Sequence, residues 1–267
     1  MSDCVPVDIV VISALKSELD YLLDREDFNW SKFEDDPISS LQYKIGTLPE
    51  TDITIAAAYA RGMGLTDSAI LTTQAITAFK PELLGMIGIC AGREDKGVNI
   101  GDLIIPDKAY HYRFGSFKNG KIEKEQKVEQ INQKYSQYMR SFFTEEIMGE
   151  IHTNKKIKGT LKPDRNPKVW NEQDMAMGSS DFVVKDVTLV EEAAEWERKL
   201  VGIEMESYAV LRTANLLNTK AIIIKAVIDL ADPHKNDSYF YYTTYLATEA
   251  FIRFLTDTVQ QGYLKKK

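Results

Sequence analysis

Three short, nearly continuous apolar runs constrain this chain more than any other feature. Asp8–Ala14 (DIVVISA), Leu83–Cys90 (LLGMIGIC) and Ala221–Ile228 (AIIIKAVI) have the length of buried strands and are rich in Val and Ile. Strands apolar on both faces must be covered on both faces, as the central strands of a parallel sheet are. Asp52–Ala60 (DITIAAAYA) reads as a further strand. Helical spacing separates these runs. Leu15, Leu19, Leu22 and Leu23 follow the first strand, and an Ala/Thr-rich amphipathic helix over Leu65–Phe79 is closed by Pro81. Helices over about Ser207–Leu217 and Tyr239–Val259 flank the last strand. The alternation predicts a single α/β domain, with a central mixed, mostly parallel twisted sheet between helices.

The remaining segments are weaker. Asp102–Pro106 and Ala109–Phe114 read as two short strands, Ala176–Val184 as a return to order, and Val201–Ile203 as a short apolar strand. Lys121–Ile151 is charged and helix-prone, and 153–172 is polar and Pro-containing, as loops are. No repeat and no Gly/Pro/Ser-rich linker divides the chain. One domain over 1–267 is expected, with a charged helical insertion at about 121–168.

Composition excludes several function classes. Lys and Arg number 33 against 40 Asp and Glu, a net charge of −7, which argues against a broad nucleic-acid-binding face. No apolar run approaches the roughly 18–20 residues of a membrane span. The start lacks a signal-peptide pattern, and two cysteines, Cys4 and Cys90, make no disulfide framework or zinc spacing. The expectation is a cytoplasmic protein that binds no metal, nucleic acid or membrane.

Two glycine motifs are decoys. Gly115–Lys121 matches much of a phosphate-binding loop, but Ile122 stands where Ser or Thr would ligate magnesium, and Asn119-Gly120 reads better as a hairpin turn. Gly62-Met63-Gly64 lacks the third glycine of a dinucleotide fingerprint. More telling are polar residues where apolar strands end, because an open parallel sheet binds ligands beyond its carboxyl ends. Glu18 lies one turn into the first helix, where a carboxylate also favours the helix dipole. Glu204-Met205-Glu206 follows Val201–Ile203, and two glutamates flanking a Met exceed what capping needs. Asp229 and Asp232 follow the last strand. Ser179-Ser180-Asp181-Phe182 ends another apolar stretch, with an aromatic that stacks on a planar ligand or packs in the core. Together they make a convergent acidic pocket.

At these residues the chain resembles the nucleoside phosphorylase and nucleosidase superfamily, with its nearest likeness to the nucleosidases that cleave methylthioadenosine and adenosylhomocysteine. The likeness runs from Asp8 to about Leu255, with 121–168 unmatched. It rests on Val201-Gly-Ile-Glu-Met-Glu-Ser-Tyr208, on Lys225–Asp232, and on Ile87-Gly-Ile-Cys-Ala-Gly92 followed by Val98–Asp102. The resemblance implies hydrolysis of an N-glycosidic bond through an oxocarbenium-like transition state, without a cofactor. By that likeness Asp229 protonates the departing purine, Glu18 activates water, and Glu206 grips the ribose hydroxyls with Met205 packed beneath the sugar. Glu204, Cys90, Ala91, Gly92, Ser179, Phe182, Val183 and Val184 would complete the substrate site. A homodimer is also implied.

Several positions depart from the family pattern. Ile228 replaces the Ser preceding the acid, Phe182 falls one place before the family's purine-stacking Phe, where Val183 stands, and Arg93 replaces a glycine. Arg61, Arg93 and Lys235 are candidate contacts to a phosphorylated substrate, since the C-terminal stretch looks like superfamily members that cleave nucleotides. The expected substrate is a purine nucleoside or nucleotide, with adenine favoured. Phosphorolysis is the rival, although Met86 and Ile89 stand where phosphorylases carry Arg and Ser. A non-catalytic nucleotide-binding module is the third reading, and it has no need of a water-activating base.

Overall fold

A computed structural model describes residues 5–36, 39, 41–118, 121–157, 159–232 and 237–266. The N-terminal half alternates as its periodicity predicts: β1 (Ile9–Ser13), α1 (Lys16–Leu23), β2 (Glu34–Asp35), β3 (Gln42–Thr47), β4 (Thr54–Tyr59), α2 (Leu65–Phe79) and β5 (Leu83–Gly92). Short strands follow at β6 (Leu103–Ile104), β7 (Lys108–His111), β8 (Gly115–Lys118), β9 (Lys121–Lys124) and β10 (Val128–Gln130). Helices α3 (Gln133–Phe142) and α4 (Glu145–Thr153) precede β11 (Val169–Trp170), β12 (Ala176–Ser179) and α5 (Val187–Ala194). The chain closes with β13 (Leu200–Glu204), α6 (Ser207–Leu216), β14 (Lys220–Asp229) and α7 (Phe240–Gln260).

The fold is a single-domain mixed sheet between helices. Its path runs β10-β7-β12-β13-β5-β1-β4-β3-β2, with β14 also pairing β5. Strands β1, β4, β5 and β14 pair in parallel, and Ile9–Ile12 and Ile222–Ile224 are completely buried. Covering such strands removes apolar surface from water at about 25 cal/mol per Å². Helix α7 supplies much of that cover, burying Phe251, Phe254 and Leu255 against the sheet. Gly85 shows how closely it packs: a Cβ there would stand 2.2 Å from the Phe251 ring.

Strand β5 organises the site. It pairs β14 along Leu83–Ala91, whereas β1 covers its other edge only through Met86, and β13 takes over antiparallel at Ala91 and Gly92. Between those two partners, the edge of Ile87–Cys90 opens where the β1–α1 and β13–α6 connections converge.

The 121–168 segment differs from the helical expectation. Its first ten residues form β9, paired antiparallel with β8, and β10, paired antiparallel with β7; only then do α3 and α4 follow. The β8–β9 pairing agrees with a hairpin rather than a phosphate loop, although Asn119 and Gly120 lie outside the described residues. Most of the tyrosines at 110–112 and 239–245 are core residues. Tyr110 donates to the Ala193 carbonyl, Tyr245 to that of Ile151, and Tyr242 bonds His152. Among the described residues no helix is long and apolar enough to cross a membrane.

Candidate active site

A cleft of about 610 Å³ opens beyond the carboxyl ends of β1, β5, β13 and β14. Of the residues singled out from sequence, Glu18, Cys90, Ala91, Phe182, Val183, Val184, Glu204, Met205, Glu206 and Asp229 all line it. Four separate connections therefore converge on one space.

Glu18 is held by backbone donors on two elements. One oxygen accepts from Leu15 N at 3.0 Å, which caps α1, and the other accepts from Ile89 N at 3.2 Å on the open edge of β5. The capping role and the site role coexist in one carboxylate. Burial pushes its pKa up, opposed by Lys225 and by the backbone donors.

Glu206 stands at the head of α6. Its Oε1 accepts from Gly64 N at 3.3 Å, and its Oε2 lies 3.2 Å from Lys225 Nζ. Gly64, at φ +109°, precedes α2, so the Gly62-Met63-Gly64 turn serves to aim an amide at this carboxylate. Burial raises Glu206 to about 7, against the pull of Lys225, while Glu204 and Glu18 add repulsion.

Asp229 ends β14 at a register shift that places Val227 opposite Cys90 and Asp229 opposite Ala91. A bulge re-aims the side chain that follows it. Asp229 Oδ1 accepts from Ala231 N at 2.9 Å, and Ile228, the extra residue, lines the cleft beside it.

Lys225 was not legible as a site residue, yet it lies at the centre of the cluster. Completely buried, its Nζ is 3.2 Å from Glu206 and 3.3 Å from Glu204. Burial lowers the lysine's pKa, but Glu206, Glu204 and Glu18 outweigh that and hold it above its ordinary value. The signal was present: Lys225 is the one charged residue in AIIIKAVI, and a charge in a strand buried on both faces requires a partner.

Other singled-out residues lie apart. Gly92 packs beneath the cleft, where a Cβ would meet Val98 and Val227. Ser179 sits behind Glu204 and donates to it at 2.6 Å. Arg93 is bonded to Asp95 and donates to the Leu200 carbonyl at 3.2 Å, outside the cleft. Arg61 is exposed on a neighbouring depression with Gln42 and Asp67. Lys235 lies outside the described residues.

A mixed α/β sheet with a carboxylate-rich cleft at its carboxyl edge defines the nucleoside phosphorylase and nucleosidase class. The phosphorylase superfamily model matches residues 8–260, and the chain belongs to that superfamily. Among curated relatives, the chain is 23% identical over 222 residues to the ATP nucleosidase Cap17 of Escherichia coli, covering 79% of this chain and 42% of that protein. It thus spans about two-fifths of that relative's length. It is 22% identical over 249 residues to a 5′-methylthioadenosine/S-adenosylhomocysteine nucleosidase of Staphylococcus aureus, covering 86% of this chain and 90% of the other. Solved structures with the same fold include the corresponding nucleosidase of S. pneumoniae, at TM-score 0.71 and 17% identity over 93% of this chain and 98% of that one. Another is the futalosine hydrolase of Helicobacter pylori, at TM-score 0.69 and 18% identity over 96% of this chain and 98% of that one.

Proposed function

We propose that the protein hydrolyses the N-glycosidic bond of a purine nucleoside or nucleotide, adenine being the favoured base, and releases free base and the ribose moiety. The observation that carries this reading is the convergence of Glu18, Glu206 and Asp229 from three separate connections on one cleft. The named activities of Cap17 and the S. aureus nucleosidase support it.

The chemistry divides among these groups. Glu18 takes a proton from water as that water attacks the anomeric carbon. Asp229 gives a proton to the purine, which would otherwise leave as an anion. Glu206 accepts the ribose hydroxyls as positive charge develops on the sugar, and Lys225 holds Glu18 and Glu206 in place. General acid–base steps of this kind contribute about 10²–10⁴-fold each. Phe182 supplies the apolar face for the base. The working enzyme is a cofactor-free cytoplasmic homodimer on this reading.

The experiment is chromatographic assay of base release from adenosine, methylthioadenosine, adenosylhomocysteine, AMP and ATP, with guanosine and uridine as controls. Adenine release from at least one adenine substrate, exceeding release from uridine, supports the reading. Release of uracil alone would overturn the purine assignment.

A further inference from the structure

We propose that Glu204 is a positioning residue that makes no substrate contact, and that it serves as the fixed counter-charge sharing Lys225 with Glu206. The inference deepens the hydrolase reading and rests on it for the kinetic part alone.

Glu204 lines the cleft, but its acceptor capacity is already filled. Its Oε1 accepts from Ser179 Oγ at 2.6 Å and Ser207 N at 3.1 Å. Its Oε2 accepts from Glu206 N at 3.0 Å and Ser207 N at 2.9 Å, and lies 3.3 Å from Lys225 Nζ. A carboxylate offers about four lone-pair sites, so a ribose hydroxyl would have to displace an existing donor. Glu206 accepts from Gly64 N and Lys225, which leaves it capacity for ligand.

The bonds also fix the neighbouring backbone. Ser179 Oγ accepts from Tyr208 N at 3.0 Å while donating to Glu204, so β12, β13 and the first turn of α6 are tied at one point. Glu206, between Glu204 and Ser207, has its direction set by that tie. The charged and titratable groups facing Glu204 are Lys225 on β14, Glu206 before α6, Glu18 on α1 and Tyr112 after β7. Removing the Glu204 charge takes repulsion from Glu206 and releases Lys225 toward it. Both changes favour ionised Glu206.

The test titrates the ¹³C-labelled glutamate carboxyls of wild type and Glu204→Gln, with the signals assigned through Glu18→Gln and Glu206→Gln. The Glu206 midpoint is expected to fall by about one pH unit in Glu204→Gln; an unchanged midpoint overturns the proposal. In kinetics, Glu204→Gln is expected to lose about 10–100-fold in kcat with KM within about threefold, since only geometry changes. A large rise in KM with kcat kept would mark Glu204 as a substrate ligand and overturn it. If Glu204→Gln does not fold, Ser179→Ala carries the same kcat-against-KM test from behind the carboxylate. A wild type that releases no base would count against the hydrolase reading, while the titration would still decide the role of Glu204.

Discussion

Gly88 and Lys225 face each other across β5 and β14, and the lysine reaches the carboxylates by passing over a residue without a side chain. A Cβ on Gly88 would stand 2.7 Å from Glu18 Oε1 and 3.2 Å from Lys225 Nζ, at a φ of +157°. The glycine gives the base and its neighbouring cation room to meet. Gly88→Ala is therefore expected to displace Glu18, lowering kcat at least 100-fold and costing about 1–3 kcal/mol of stability. Steady-state kinetics and denaturant melts on the purified variant check this; near-wild-type kcat would show that the close approach is not needed.

The pH dependence follows from the direction of the Glu18 and Glu206 shifts. Both act as carboxylates, and burial raises both, Glu206 to about 7. kcat/KM is therefore expected to fall as pH drops through about 7, well above the ordinary range of glutamate. A profile flat down to pH 5 would contradict this.

Stability carries the opposite sign. The folded state holds the Glu206 proton more tightly than the unfolded chain, whose ordinary value is 4.5, so this group's contribution is fully present below 4.5 and is lost as pH rises to about 7. Across that window Glu206→Gln is expected to gain relative to wild type, by on the order of 2 kcal/mol. Parallel melting curves at pH 4.5 and pH 8 would show it.

Base stacking is assigned to Phe182, although Val183 occupies the family's aromatic position. Both line the cleft, and Arg113 lies 5.7 Å from the Phe182 ring centroid. Stacking on an aromatic contributes about 1–3 kcal/mol per base. Phe182→Ala is expected to raise KM roughly tenfold or more, and Val183→Ala less than threefold. The reverse ranking would restore the stacking role to position 183.

The parts of the fold that the sequence made legible were those whose burial left an unbroken pattern. β1, β5 and β14 are covered on both faces, so their apolar runs are continuous, and α2 and α7 keep helical spacing over several turns. β3 was missed because its run, Gln42–Thr47, mixes Lys44 and Gly46 with apolar residues near the sheet edge. β9 and β10 were read as helix because their charged residues favour helices; pairing with β8 and β7, not intrinsic preference, decides them. In the site, the strand-end carboxylates were visible as polar residues after apolar runs. Lys225 was hidden within such a run, and the separation of Arg93 from the cleft depends on its bond to Asp95, which no spacing reveals.

The central claim is that water, activated by Glu18, is the nucleophile. Its most direct measurement is base release in phosphate-free buffer and again with added phosphate, for wild type, Glu18→Gln and Asp229→Asn. The account predicts release by wild type without phosphate, no stimulation by phosphate, and loss of about 100-fold or more in either variant. Release that appears only with phosphate, or that persists undiminished in Glu18→Gln, would contradict it.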